Sequence, residues 1–228
     1  MRLLLFDIDG TLVTTAGAGR RALARALRDV FGTAGALDTY DLAGRTDQRI
    51  VLDVLQTAGL EPAAVQGRMD DCFEAYARAL AAEIGDGRHV STLPGIATLV
   101  QHLDRRSDVV LGLLTGNIEE GARIKLMPTG LWPYFPTGAF GSDHADRRRL
   151  PSLAARRAHA LTGHAFAPAD VLVIGDTPWD VDCAHHFGAR AVAVATGRYP
   201  RAELAACGAN LVFDSFAEVD RALAALLE

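Results

Sequence analysis

The sequence predicts an α/β fold: a doubly wound parallel sheet with an all-helical domain inserted after its first strand. Three observations point there. Five short apolar segments, 3–6, 109–114, 171–174, 191–195 and 211–213, read as buried strands. From residue 94 onward they alternate with stretches of helical apolar spacing, the pattern of a parallel sheet covered on both faces. Residues 15 to about 90, between the first two of these strands, contain no convincing strand and read as helices.

In chain order, Leu3-Leu4-Leu5-Phe6 is the first strand, and it runs into Asp7-Ile8-Asp9-Gly10-Thr11. Asp9-Gly10 is a turn signal. The helical block follows, with helices expected over 19–31, 47–57 and 62–83. Gly and Thr at 14–19 mark its start, and Gly85-Asp86-Gly87 with Leu93-Pro94-Gly95 mark its end. This places one domain at 1–14 plus 91–228 and a second at 15–90, with both connections beside the tip of the first strand. Helices are expected next over 94–103, 118–127, 150–161 and 216–227, and one after Asp180. The aromatic cluster Trp132-Pro133-Tyr134-Phe135 reads as local packing.

Composition narrows the class. Half of the 228 residues are hydrophobic, ample for a core, and no apolar run approaches the length of a membrane span. No basic leader with a cleavage-site pattern is present, so the chain reads as cytoplasmic. The formal charge is −5 and basic residues are scattered, which argues against a nucleic-acid partner. Cys72, Cys183 and Cys207 have no metal-binding spacing and read as reduced thiols. His185-His186 point in different directions on a helix and form no chelate.

Chemistry concentrates at three strand tips. Asp7 and Asp9 are two apart, so they share one side of a strand end. In open α/β sheets, ligands bind at that end. Two adjacent carboxylates repel, and a divalent cation is the simplest compensation. After 109–114 comes Thr115-Gly116-Asn117, which suits a phosphate seat at a helix start or a simple helix cap. After 171–174 comes Gly175-Asp176-Thr177-Pro178-Trp179-Asp180. Thr177, Pro178 and Asp180 fit N-cap, N1 and N3 of a helix; capping explains Asp180 but not Asp176.

In their order and spacing, Asp7-Ile8-Asp9-Gly10-Thr11, Thr115-Gly116-Asn117 and Gly175-Asp176 with Asp180 resemble the haloacid dehalogenase superfamily, most closely its phosphoglycolate-phosphatase-like subgroup. The resemblance implies a Rossmann-like core with a helical cap at 15–90. It further implies a Mg²⁺-dependent phosphatase acting on a small phosphoester. Asp7 would be the nucleophile and Asp9 the general acid and base. Asp7, the Asp9 carbonyl, Asp176 and Asp180 would hold Mg²⁺. Thr115, with Gly10, Gly116 and Asn117 beside it, would meet phosphate oxygens. Gly44-Arg45-Thr46-Asp47 resembles the cap's specificity loop, with Arg45 suited to a substrate anion and Thr46 or Asp47 equally suited to capping a helix.

The chain departs from the family at the third motif, where a lysine is expected. Lys125 is its only lysine, and none follows it. Arg147 is the first candidate for that cation and Arg149 the second. Lys125 is a rival for that role, but it lies about ten residues past Thr115, on the order of 15 Å along a helix, and reads more readily as a helix-face residue. Three alternatives stay open: a phosphomutase, a dehalogenase, and a silent phosphate-binding module. Asp9 disfavours the dehalogenase, since a halide needs no acid, and the missing lysine is the one feature favouring the silent module. A phosphonate-cleaving activity is disfavoured because the cap has no lysine.

Overall fold

A computed structural model describes residues 1–228. Six strands form one parallel sheet in the order β5-β4-β1-β6-β7-β8. These are β1 (Arg2–Phe6), β4 (Val109–Leu114), β5 (Thr137–Ala139), β6 (Val171–Gly175), β7 (Arg190–Val194) and β8 (Leu211–Phe213). β1 lies in the middle, with Leu4 beside Leu111 of β4 and Leu172 of β6. Alternation along β1 explains the two covered faces. Leu4 and Phe6 join the core under α5 (Ile96–Asp104), α6 (Glu119–Leu126) and α10 (Val219–Leu227). Leu3 and Leu5 join the core under α7 (Leu150–Thr162), α8 (Pro178–Phe187) and α9 (Arg201–Ala206). β1 and β4 lead to helices on the first face, β5 and β6 to helices on the second. The neighbours β1 and β6 therefore flank the point where the winding reverses, and ligands bind at such a point.

The segment after β1 is helical: α1 (Ala18–Phe31), α2 (Asp47–Thr57), α3 (Pro62–Gln66) and α4 (Met69–Ile84). These helices bury a cluster of their own, including Leu27, Val54, Cys72 and Leu80, which Ile118 of the sheet domain joins. Its two connections run side by side as an antiparallel pair, β2 (Val13–Thr14) with β3 (Ser91–Thr92).

Four expectations need correction. The helix expected over 62–83 breaks at Gly67, where α3 ends before α4 restarts at Met69; glycine is a poor helix former. β5 was not foreseen, because Thr-Gly-Ala carries no apolar run. α9 and the β2–β3 pair were also missed, being six and two residues long. The aromatic cluster does pack locally: Phe135 meets Phe6 edge-on with ring centroids 5.8 Å apart.

Candidate active site

Asp7 directly follows β1, and its N–H donates to the Ile174 carbonyl of β6 (2.9 Å), which locks the two strand tips together. Asp176 follows β6, and Asp180 sits in the first turn of α8. Oxygens of Asp7, Asp176 and Asp180 lie within 4.8 Å of one another, and all three residues are buried. Glycine makes the room. A Cβ on Gly10 or on Gly197 would overlap the Asp176 carboxylate, and one on Gly175 would overlap that of Asp180. Thr11 donates its hydroxyl to Asp176 Oδ1 (3.2 Å). Asp180 Oδ2 accepts from the N–H (3.0 Å) and hydroxyl (2.7 Å) of Thr177, so the expected capping residue also turns a carboxylate into the cluster.

One cation faces these acids. Arg147 is buried, with Nη2 bonded to Asp180, 3.3 Å from Asp7 Oδ2 and 3.3 Å from the Leu114 carbonyl. Its Nη1 donates to the Gly44 carbonyl of the helical insert (3.1 Å). Burial alone would favour losing its proton, but Asp180 and Asp7 outweigh that and raise its pKa. Burial pushes the Asp7 carboxyl up to about 6 even with Arg147 pulling down, and burial with its acidic neighbours holds Asp176 well above the usual range. Three carboxylates against one guanidinium leave uncompensated negative charge among hard oxygen donors, a set that fits a divalent cation. Arg149 is exposed and does not reach the cluster.

Asp9 stands apart from the metal-type cluster. Its Oδ2 accepts from Asn117 Nδ2 (2.9 Å) and from Lys125 Nζ (2.6 Å). Lys125 also donates to Asn117 Oδ1 (2.5 Å) and is buried. The expectation of a helix-face lysine was therefore wrong. α6 begins at Glu119, so Lys125 is only about 9 Å along its axis, and helical side chains lean toward the N-terminus. Thr115 also departs from expectation. It is fully buried, and its hydroxyl accepts from Asn117 Nδ2 (2.8 Å) rather than facing open space. Neither Thr115 nor Asn117 caps α6; the N-cap is Ile118.

The insert closes the site from above through residues 44–47. Gly116 passes so close to this loop that a Cβ there would overlap the Arg45 carbonyl. Asp47 N–H donates to the Gly116 carbonyl (2.7 Å), and Thr46 donates its hydroxyl to the Ala145 carbonyl (2.8 Å). Thr46 is the N-cap of α2, accepting from Arg49 N–H (3.2 Å). Asp47 reaches across and accepts from Ile118 N–H (2.9 Å), capping α6 rather than its own helix. The Arg45 guanidinium lies over the Trp179 ring (4.7 Å) and near the Tyr40 ring (5.8 Å), in cation–π contact with no ion-pair partner. Together these groups enclose a cavity of about 380 Å³, with Asp7, Asp9 and Asp176 on one side and Arg20, Arg45 and Tyr76 on the other. That volume suits a small metabolite.

Sequence reasoning missed Lys125, the cross-domain cap by Asp47, and Thr196-Gly197. Thr196 donates to the Gly10 carbonyl (2.6 Å) and Gly197 clears space for Asp176. A Thr-Gly pair just past the apolar run 191–195 was the available signal, parallel to Thr115-Gly116.

Asp47 carries a measurable cost. Burial raises its carboxyl from 3.8 to about 6, against the pull of Lys125. The folded protein thus holds this proton more tightly than the unfolded chain, and stability falls as pH rises from about 4 to about 6. The loss is about 3 kcal/mol on linkage grounds. Asp47→Asn keeps an oxygen for Ile118 N–H and removes the charge. Urea unfolding is expected to show the variant more stable than wild type at pH 8 and equal to it at pH 4; equal stability at both would remove the assigned cost.

Comparison with known proteins shows the family and the fold. The model of the haloacid dehalogenase-like hydrolase family matches residues 4–185. A phosphoglycolate phosphatase of Rhodospirillum rubrum is 31% identical over 230 residues, covering 96% of this chain and 89% of its own length. A phosphoglycolate phosphatase of Synechococcus elongatus is 28% identical over 235 residues, covering 100% and 99%. Among solved structures, a hydrolase from Pseudomonas syringae superposes with a TM-score of 0.71 at 22% identity, covering 99% of both chains.

Proposed function

The chain belongs to the haloacid dehalogenase-like hydrolases, and from that premise we propose that it is a Mg²⁺-dependent phosphatase of small phosphomonoesters. The observation that carries this reading is the placement of two carboxylates with different surroundings at one strand tip. Asp7 lies among Asp176, Asp180 and Arg147, while Asp9 is held by Lys125 and Asn117. Separated environments suit separated roles.

In this reading Asp7 attacks phosphorus in line. The new Asp7 oxygen–phosphorus bond forms as the ester P–O bond breaks, and Asp9 passes a proton to the departing oxygen. Asp9 then takes a proton from water, which attacks phosphorus, releases phosphate and restores Asp7. Arg147 neutralises charge beside Asp7 and takes the place of the family's lysine. Thr115 steadies Asn117 from below, and Gly10 and Gly116 let backbone approach the site. Asp7, Asp176, Asp180 and the Asp9 carbonyl would hold Mg²⁺, which when bound supplies charge neutralisation between nucleophile and phosphate.

Residues 15–90 act as a cap that excludes water when closed and opens for release, hinged at the β2–β3 pair. Arg45 lines the cavity and its guanidinium has no ion-pair partner, which favours a leaving group bearing a second anion, such as a phosphorylated hydroxy acid or sugar. The two relatives named phosphoglycolate phosphatase support that class. A cytoplasmic setting fits the three free cysteines, and no helix is long and apolar enough to cross a membrane.

The test is phosphate release from p-nitrophenyl phosphate, phosphoglycolate, sugar phosphates and a mutase substrate, with Mg²⁺ and with EDTA. Mg²⁺-dependent hydrolysis, best for esters carrying a second anion, is expected. Isomerised phosphate without release would overturn it in favour of a mutase, and no turnover of any substrate would favour a silent binder. A second readout needs no turnover. With Asp7 titrating near 6 and burial holding Asp176 well above the usual carboxylate range, acid protonates the ligand set. Mg²⁺ is therefore expected to raise the melting temperature clearly at pH 7.5 and little at pH 5. An equal rise at both pH values would place the ion elsewhere.

A further inference from the structure

We propose that Lys125 is a positioning residue for Asp9, fixing one carboxylate oxygen so that the other faces the leaving group. The inference rests on the phosphatase reading but concerns a residue that the family's motifs do not include.

Four observations carry it. Lys125 and Asn117 both donate to Asp9 Oδ2, at 2.6 and 2.9 Å, while Oδ1 makes no hydrogen bond. The Asp9 side chain is 44% exposed although Lys125 is only 4% exposed, so the acid faces the cavity and its anchor does not face solvent. Lys125 and Asn117 also bond to each other, and Asn117 leans on Thr115, making a closed chain from β4 and α6 to the acid. Finally, the anchor is walled by the cap. Nζ lies 3.4 Å from where a Gly19 side chain would begin, and the Tyr76 hydroxyl 3.5 Å from the same point. A side chain at 19 would begin in van der Waals contact with the ammonium, so the wall of the cap is close-packed there.

The chemical consequence follows from the first half-reaction. As Asp9 gives its proton to the departing alkoxide, a carboxylate forms, and an ammonium already in contact stabilises it without reorganisation. The benefit scales with how much the leaving group needs that proton. An alkyl phosphate releases a strongly basic alkoxide. p-Nitrophenyl phosphate releases a stable phenolate and draws little on the acid. A purely structural lysine would affect both substrates alike.

The test compares Lys125→Met and Asp9→Asn with wild type on p-nitrophenyl phosphate and on an alkyl phosphate such as phosphoglycolate, with Mg²⁺. For Lys125→Met, kcat on the alkyl ester is expected to fall about 10²-fold, and at least tenfold further than on the aryl ester. Asp9→Asn should show the same skew, and adding Lys125→Met to it should cost little more. Equal losses on both esters would overturn the positioning role. A second measurement holds even if no ester is hydrolysed. Lys125 is the sole lysine, so isotope-labelled lysine gives one side-chain signal. That signal is expected to show slow exchange with solvent in wild type and fast exchange in Asp9→Asn. A lysine in fast exchange in wild type would also overturn the proposal. A protected, Asp9-dependent signal with no hydrolysis would leave the anchor standing and the phosphatase reading in default.

Discussion

Asp7→Asn is expected to fold, to melt at a higher temperature than wild type in EDTA at pH 7.5, and to lose turnover by a factor on the order of 10⁴ or more. The two halves share one cause. Asp7 is buried among acids, and burial raises its carboxyl to about 6. Below about 4 both folded and unfolded states hold the proton. Between about 4 and 6 the folded state holds it more tightly, so rising pH through that window costs stability. Above about 6 wild type carries the full penalty. An amide of the same shape carries none, but it is not a nucleophile. Loss of activity with gain of stability is the trade expected of a strained reactive group. A variant that loses both would mark Asp7 as structural. One that keeps its activity would remove it as nucleophile.

Arg147 gives the second large effect. Arg147→Ala in Mg²⁺ is expected to lower kcat by about 10³ or more, with far-UV circular dichroism unchanged. Its stability should drop by about 3–5 kcal/mol, since Asp180 loses a buried partner. Arg147→Lys is the more informative change. One Nη reaches Asp7, Asp180 and the Leu114 carbonyl, and the other reaches the Gly44 carbonyl of the cap loop. An ammonium restores the charge beside Asp7 but has no fork to reach Asp7 and Gly44 together. It is expected to recover part of kcat while KM is raised, because the 44–47 loop loses one of its bonds to the residues beneath it. Near-wild-type turnover in Arg147→Ala would move the third-motif role to another cation.

The sheet and most helices were legible because each depends on local pattern. β4 and β8 match the apolar runs 109–114 and 211–213, and α2 matches its expected 47–57. Asp7 and Asp176 were legible too, since each sits just past such a run, and Asp180 through its place in the first turn of the helix that follows. What the sequence hid depends on tertiary approach. β5 is three small residues that pair only because β4 is already there. Lys125 looked distant because distance along a helix ignores where a long side chain leans. Asp47 looked like an N-terminal cap of its own helix, yet Thr46 takes that place and Asp47 caps α6 by accepting from Ile118, 71 residues further along the chain. Thr115 sits at a strand tip as expected, but its hydroxyl is spent on Asn117. Periodicity cannot report which of two neighbouring polar groups turns inward.

The central claim is that phosphate passes through Asp7. The most direct measurement is rapid acid quenching of wild type turning over a phosphomonoester with Mg²⁺, followed by intact mass and peptide mapping. One phosphoryl group on the peptide that contains Asp7, absent in Asp7→Asn along with turnover, is the expected result. A phosphoryl group on any other residue, or turnover that survives Asp7→Asn, would contradict it.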